Sequence, residues 1–392
     1  MRERGFSLVE LMVASVIGMV TILAITQSMM FFDGQRRGTT SGVDAQSNGA
    51  FATYIVERDL RMAGYAVFGN DTNLINFCLG GSVVAYNSQR APVDLLMAVN
   101  AVPFAPVAIN PPGIPAGDAN TDVIGVLFGN SAIGVSGDGV QIGTDNGTGI
   151  TVNNSGGFSA GDLVLAVPTV AGTACSIYEI TDGPGAVNCS GAGTVTQLMY
   201  GQAQYASRHQ ACTAVAPTRN KAGGLGVNTV AYSAGRLFNL GRRDGLAQIY
   251  YAIRSGRLTR CDHQASDCSS AANLANNQVW VPVSEGVVSM RAEFGIASGG
   301  QNAAVDTWRT GVCNAANCVP SVTDWQNLRV IRIALVARSQ QLAGAGTTTV
   351  APQWGGQTAI SLDGTVANWE SYRYNTTEVV IPLKNIVWGM SS

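Results

Sequence analysis

The stretch Arg4-Gly5-Phe6-Ser7-Leu8-Val9-Glu10 decides how the rest of this chain is read. Ahead of it stands a short basic start, Met1-Arg2-Glu3, and after Glu10 no charged residue follows until Asp33. A secretory signal places its small-residue cleavage site after an apolar core of about 7–15 residues. Here the small residue, Gly5, precedes the apolar run, and the run is too long for a signal core. A cut at Gly5 would leave the hydrophobic segment on the mature protein. About 20 apolar residues span a bilayer as a helix, and Phe6 to Phe32 supplies that length. Glu10 is the exception within it. A central carboxylate costs about 2.5–3.5 kcal/mol on insertion scales and less near an interface, so it points to a function. The bland alternative is an ordinary anchor with a chance glutamate. Arg2 and Arg4 place the leader on the cytoplasmic side and export the body. Ala14 and Gly18, four residues apart, would let another helix approach closely.

At 392 residues the chain can bury a large core in one to three domains. A net charge of −2 with only 12% charged residues does not describe a nucleic-acid binder. Glycine at 47 positions, with many Asn, Ser and Thr, points to loop-rich β structure beyond the first helix. Eight cysteines fit an oxidising, exported setting. Sequence alone leaves their connectivity open. Proximity favours Cys261–Cys268, Cys313–Cys318 and Cys175–Cys189, leaving Cys78 with Cys212. A metal site is the rival, but there is no Cys-x-x-Cys and the histidines are His209 and His263 alone. Neither a metal nor another cofactor is expected.

No proline interrupts the chain before Pro92, so one helix can continue past Phe32. Phe51, Tyr54, Ile55, Leu60, Met62 and Ala63 form an apolar stripe at helical spacing with Glu57, Arg58, Asp59 and Arg61 interleaved, and Gly64 is a natural stop. A helix from Phe6 to about Ala63 would be roughly 85 Å long at about 1.5 Å per residue. Gly34, Gly38 and Gly42 weaken its middle and admit a break or flexible stretch there. The remainder divides into a Gly- and Asn-rich β region over 65–235 and a cleaner β-rich region over 236–392. Expected strands are Asp122–Phe128, Asp162–Val167 and Ser176–Thr181. A hairpin of Gln248–Arg254 and Arg257–Cys261 follows, with extended elements over Val279–Val288 and Met290–Phe294. Leu328–Arg338 reads as a half-buried strand, with Ile331, Ile333, Leu335 and Ala337 inward and Arg332 and Arg338 outward. Glu378–Leu383 gives the last strand.

Gly157-Phe158-Ser159-Ala160-Gly161 matches the Gly-x-Ser-x-Gly pattern of serine hydrolases, but that chemistry needs a strand-to-helix turn. Here a strand follows, so no enzyme is expected. The Ser136–Gly157 stretch lacks the spacing of an EF-hand loop and reads as solvated turns. Arg236, Arg242, Arg243, Arg254, Arg257 and Arg260 are the densest basic cluster and the candidate face for phosphates; a salt-bridged surface is the simpler reading. All six tryptophans lie between Trp280 and Trp388, as a glycan platform or as core anchors.

The Arg4 to Glu10 arrangement resembles the class III leader of type IV pilins and type II secretion pseudopilins. The resemblance implies cleavage of Gly5–Phe6 by a prepilin peptidase, N-methylation of Phe6, and a Glu10 that pairs with the amino terminus of a neighbouring subunit. Glu57-Arg58-Asp59-Leu60-Arg61-Met62-Ala63-Gly64-Tyr65 looks like the helix end of PilW-family minor pilins and J-type pseudopilins. Gly161–Ala166, the Tyr250–Cys261 hairpin, Val281–Val287 and Ile331–Ser339 are also similar to PilW-type proteins, and they occur in the same order. The fold implied is α+β: a long N-terminal helix, membrane-spanning over about 6–32, packed on a mainly antiparallel β body of type IV pilin type. The function implied is a non-catalytic minor pilin that primes a type IV pilus and sits at or near its tip. The alternatives are a J-type pseudopilin of type II secretion and a DNA-uptake minor pilin. Implied partners are other minor pilins, the major pilin, a tip adhesin, the prepilin peptidase and the inner-membrane assembly platform, with nucleic acid disfavoured. The implied location is the inner membrane, body in the periplasm, and then the surface pilus.

Overall fold

In a computed structural model of the chain, the N-terminal helix runs unbroken over Leu8–Met62, 55 residues and about 83 Å. The structure describes residues 7–69, 71–79, 81–90, 94–97, 102–131, 139–182, 197–221, 232, 234–300, 303–312, 320–355 and 359–389. The expected break at Gly34, Gly38 and Gly42 does not occur. Each glycine costs about 1 kcal/mol in a helix, which the apolar anchor before them and the packed segment after them together outweigh. The helix ends where Gly64 takes a left-handed φ of +80° and its N–H turns to the Leu127 carbonyl at 2.9 Å. Asn385 then donates to the carbonyls of Arg61 and Ala63 at 3.3 and 3.2 Å. A side chain from the C-terminal helix Lys384–Gly389 thus satisfies acceptors that a helix end leaves open.

Only the second half of the long helix touches the body. Ala45, Ala52, Val56, Leu60 and Ala63 are buried along one face. At Gly49 the helix backbone comes so near the sheet that a Cβ would lie 3.3 Å from both Ala337 Cβ and Thr377 Oγ1. Larger residues there would lift the helix off strands Leu328–Arg338 and Tyr374–Pro382.

Those two strands belong to a four-stranded sheet ordered Thr307–Arg309, Val287–Ile296, Leu328–Arg338, Tyr374–Pro382. A five-stranded sheet runs Val281–Glu285, Arg257–Asp262, Ala247–Arg254, Ile124–Phe128, Val107–Ile109. Its central hairpin pairs Arg254 with Arg257 around Ser255 and Gly256, both at positive φ, the backbone of a two-residue hairpin turn. Asp118 fixes this turn by accepting both N–H groups at 2.9 Å. An eight-stranded sheet runs Asp94–Met97, Val83–Tyr86, Cys175–Glu179, Asp162–Val167, Arg236–Arg242, Val140–Asp145, Gly149–Val152, Gln197–Met199. Its Val83–Tyr86 and Cys175–Glu179 strands pair in parallel; the other strand pairs in the molecule are antiparallel among the described residues. One core joins the long helix to residues of the three larger sheets and of the segments between them, including Leu60, Ile75, Leu165, Ile253, Ile333 and Ile386. A second, around Ile150, Phe158, Val164 and Tyr232, lies against the eight-stranded sheet. The class is α+β, with a mostly antiparallel body.

Two expectations need correction. Cys78 is bonded to Cys175, with their Cα atoms 5.6 Å apart, so neither Cys78–Cys212 nor Cys175–Cys189 forms. The reason is the parallel pairing, which sets Val83 opposite Cys175 and brings the turn Leu74–Leu79 to that strand's start. Proximity in sequence does not register a sheet crossover. Cys261 is bonded to Cys268, the pair proximity favours. Cys212 is also in a disulfide; Cys189, Cys313 and Cys318 lie outside the described residues. Secondly, Leu328–Arg338 is buried on both faces. Ala334 and Val336 pack against Ile360, Leu362 and Val366 from the 339–373 connection. Arg332 lies 4.1 Å from the Trp308 ring and 5.2 Å from that of Trp354, and Arg338 stacks on Tyr372 at 4.5 Å. The outward arginines therefore hold a covering segment down by cation–π contact.

Candidate functional site

The first candidate site is the exposed half of the long helix. Leu8–Phe32, 25 residues, is long and apolar enough to cross a membrane, and none of its most apolar window is buried by the body. At about 37 Å it exceeds a hydrocarbon core of about 30 Å. Thr26 turns its hydroxyl back to the Ile22 carbonyl at 2.8 Å, and Ser15 and Thr21 do the same to Met12 and Ile17. The hydroxyls of Ser15, Thr21 and Thr26 are thereby satisfied within the helix.

Ser7 and Glu10 form a reciprocal capping box. The Glu10 N–H donates to Ser7 Oγ at 3.2 Å and the Ser7 N–H donates to the Glu10 carboxylate at 3.0 Å. A carboxylate in the first turn also faces the positive end of the helix dipole. Glu10 is exposed, so it is open to a second subunit from the position where it caps its own. Ala14 is exposed on the same side, and a Cβ on Gly18 would meet nothing within 4 Å. Gly5 and Phe6 lie outside the described residues.

The second candidate site is the joint that couples this helix to the body. Asp59, one of the charges interleaved with the apolar stripe, is only 4% exposed. It receives the Tyr251 hydroxyl at 2.6 Å and Arg58 Nε at 2.9 Å, with Arg260 Nε at 3.7 Å. Tyr251 and Arg260 sit on the two strands of the central hairpin. The helix end and that hairpin, two stretches singled out separately in the sequence, thus meet on one carboxylate. A buried carboxylate among apolar stripe residues was the available signal, but helical spacing does not say which way a charge faces. Burial pushes the Tyr251 pKa upward, with Asp59 adding to it, so Tyr251 stays a donor. Asp59→Ala is expected to lower stability by about 2–3 kcal/mol, because the buried Tyr251 hydroxyl loses its acceptor. Tyr251→Phe should cost about 1 kcal/mol. Thermal melts of the full chain in detergent check both; equal, negligible effects would contradict this joint.

The six clustered arginines do not share a free face. Arg236 is 3.7 Å from Asp71, Arg242 3.3 Å from Asp244, Arg243 3.4 Å from Glu179, Arg257 3.0 Å from Glu285 and Arg260 3.7 Å from Asp59. Arg254 lies 4.1 Å over the Trp280 ring and donates to the carbonyls of Pro115 and Ala116. Trp280 and Trp325 are core residues at 1% and 2% exposure, which favours their anchoring role over a platform.

The Gly157–Gly161 pattern is followed by strand Asp162–Val167. Asp162 accepts the Ser159 backbone N–H at 2.7 Å and pairs with His209 at 2.5 Å, so the acid is committed to a turn. Gly161, at φ +102°, lets Ser207 and His209 approach: a Cβ would lie 2.7 Å from Ser207 Oγ. His263 is buried beside Arg90, whose Nη2 is 3.4 Å from Nδ1. Burial first and Arg90 second push its pKa from 6.5 down to about 3. The unfolded chain binds this proton below about pH 6.5 and the folded chain only near 3, so this contribution to stability is lost as pH falls through that window. His263→Gln is expected to flatten the acid side of the stability profile, measured as denaturant midpoints from pH 7 to about 3; a parallel offset without flattening would contradict it.

Residues 255–385 match the family model PilW, Type IV Pilus-assembly protein W. Residues 1–26 match the prokaryotic N-terminal methylation motif. No curated protein and no solved structure matches the chain.

Proposed function

We propose that this chain, a type IV pilin-like protein with a part in pilus assembly, is a minor pilin that primes a type IV pilus and stays at or near its tip. The observation that carries the reading is the single helix Leu8–Met62. Its first 25 residues are left bare by the body, and its last turns are locked into the main core. Such an element holds the subunit in a bilayer and transmits force to the body without a hinge. Cleavage at Gly5–Phe6 and methylation of Phe6 fit the motif matched over residues 1–26. The bare face with Glu10, Ala14 and Gly18 fits packing against the helices of other pilins, and the exposed body fits docking to other minor pilins or an adhesin. On this reading the protein works by assembly, held first in the inner membrane with its body in the periplasm.

Glu10→Ala tests the reading. A carboxylate in a membrane helix is costly, and a neighbour's amino terminus would compensate the charge that Glu10 brings there. The variant should be processed normally yet fall at least tenfold in sheared pili, because the compensating charge pair is gone. Normal levels in the fibre would overturn the assigned role of Glu10.

A further inference from the structure

A recess of about 370 Å³ opens in the body between the 87–89 turn, the 210–219 segment and the 243–265 segment. Gln89, Gln210, Thr218, Arg219, Arg243 and Asp262 are among the residues that line it. Arg219 is 6% exposed. Among the described residues its guanidinium has one hydrogen bond, from Nη1 to Gln264 Oε1 at 2.8 Å. Arg219 reaches the recess as one of its lining residues. Arg243 also lines the recess and donates from Nη1 to Glu179 and to the Ala216 carbonyl. Burial is the main cause that lowers the Arg219 pKa, to about 10. It stays protonated at neutral pH; Glu179 and Asp262 offset part of its burial, while Arg90 and Arg243 add positive charge beside it.

The remaining lining narrows the choice of anion. Asp244 and Asp262 stand at the same recess and would repel a second negative charge, which disfavours a phosphate dianion. A guanidinium fork matches a planar carboxylate with two parallel hydrogen bonds. Gln89, Gln210 and Thr218 offer donors and acceptors suited to hydroxyl groups. Leu246 and Ala265 are the apolar lining residues, too little wall for the side chain of a peptide terminus. We propose that this recess binds the carboxylate of an acidic saccharide, with Arg219 and Arg243 on the carboxylate and the amides and Thr218 on the ring hydroxyls. The inference goes beyond the assembly reading and fails separately from it, because presence in sheared pili is measured independently of binding.

The test is a glycan array probed with the full-length chain in detergent. The array carries uronic- and sialic-acid termini, their neutral parents, phosphorylated counterparts and peptides with free carboxyl termini. The expected result is binding to carboxylated glycans at least tenfold above neutral parents, lost in Arg219→Gln. Gln89→Trp blocks the exposed mouth without touching the buried network, and it should abolish binding even if Arg219→Gln fails to fold. Equal binding to neutral parents, preference for phosphates or peptides, no binding to any carboxylated glycan, or retention in Gln89→Trp would overturn the proposal.

Discussion

Replacing Glu179 by alanine is expected to lower the stability of the body by about 3–5 kcal/mol, the usual cost of breaking a buried ion pair from one side. Glu179 is fully buried. Its carboxylate accepts the N–H groups of Thr218 and Arg219 at 2.8 and 3.1 Å, the Tyr205 hydroxyl, and Arg243 Nη1 at 3.4 Å. One side chain therefore fastens the two-stranded Tyr205–Ser207 and Thr213–Val215 sheet, and the segment after it, to the eight-stranded sheet. Alanine leaves the donors without an acceptor and Arg243, 18% exposed at its side chain, without its partner. Glu179→Gln keeps an acceptor oxygen and should cost less than alanine. In thermal melts the alanine variant should fall by about 10 °C, at roughly 2–4 °C per kcal/mol for a body of this size. A shift within 2 °C would show that the network contributes little.

The second large effect belongs to the Cys78–Cys175 bond, which closes a loop of 97 residues. Loop-closure entropy puts the cost of losing such a bond near 4.7 kcal/mol, and measured losses of native disulfides run at about 2–5 kcal/mol. Both cysteines are fully buried, so alanine is the replacement that adds no buried polar atom. Cys78→Ala with Cys175→Ala should be the more damaging pair. Cys261→Ala with Cys268→Ala opens a loop with a separation of 7 and should cost about 2 kcal/mol less on the same entropy scale. Denaturant melts under oxidising conditions give the order; the reverse order would show that residual structure or strain, rather than loop length, governs these bonds.

What could be read from the sequence was local and periodic. The apolar run from Phe6 marked the first half of the helix, and Gly64 marked its end. Strands Asp162–Val167 and Leu328–Arg338 lie at the positions their apolar alternation indicated. The Ser255-Gly256 turn gave the central hairpin. What escaped was set by partners distant in the chain. Nothing local marks Asp59 as buried, because its acceptor role depends on Tyr251, nearly two hundred residues on. Arg332 and Arg338 looked solvated because the tryptophan and tyrosine rings that cover them arrive from other segments. Cys78 was assigned to Cys212 because no local pattern reveals that Val83–Tyr86 and Cys175–Glu179 lie side by side. The recess around Arg219 had no motif at all; its lining comes from three separated stretches.

The most direct measurement is mass spectrometry of filaments sheared from cells, searching for the N-terminal peptide of this chain. The expected peptide begins at N-methylated Phe6 and is recovered with the surface fibre. Recovery of that processed peptide only from the membrane or periplasmic fraction would contradict a place in the pilus. An amino terminus still at Met1 would contradict the pilin reading itself.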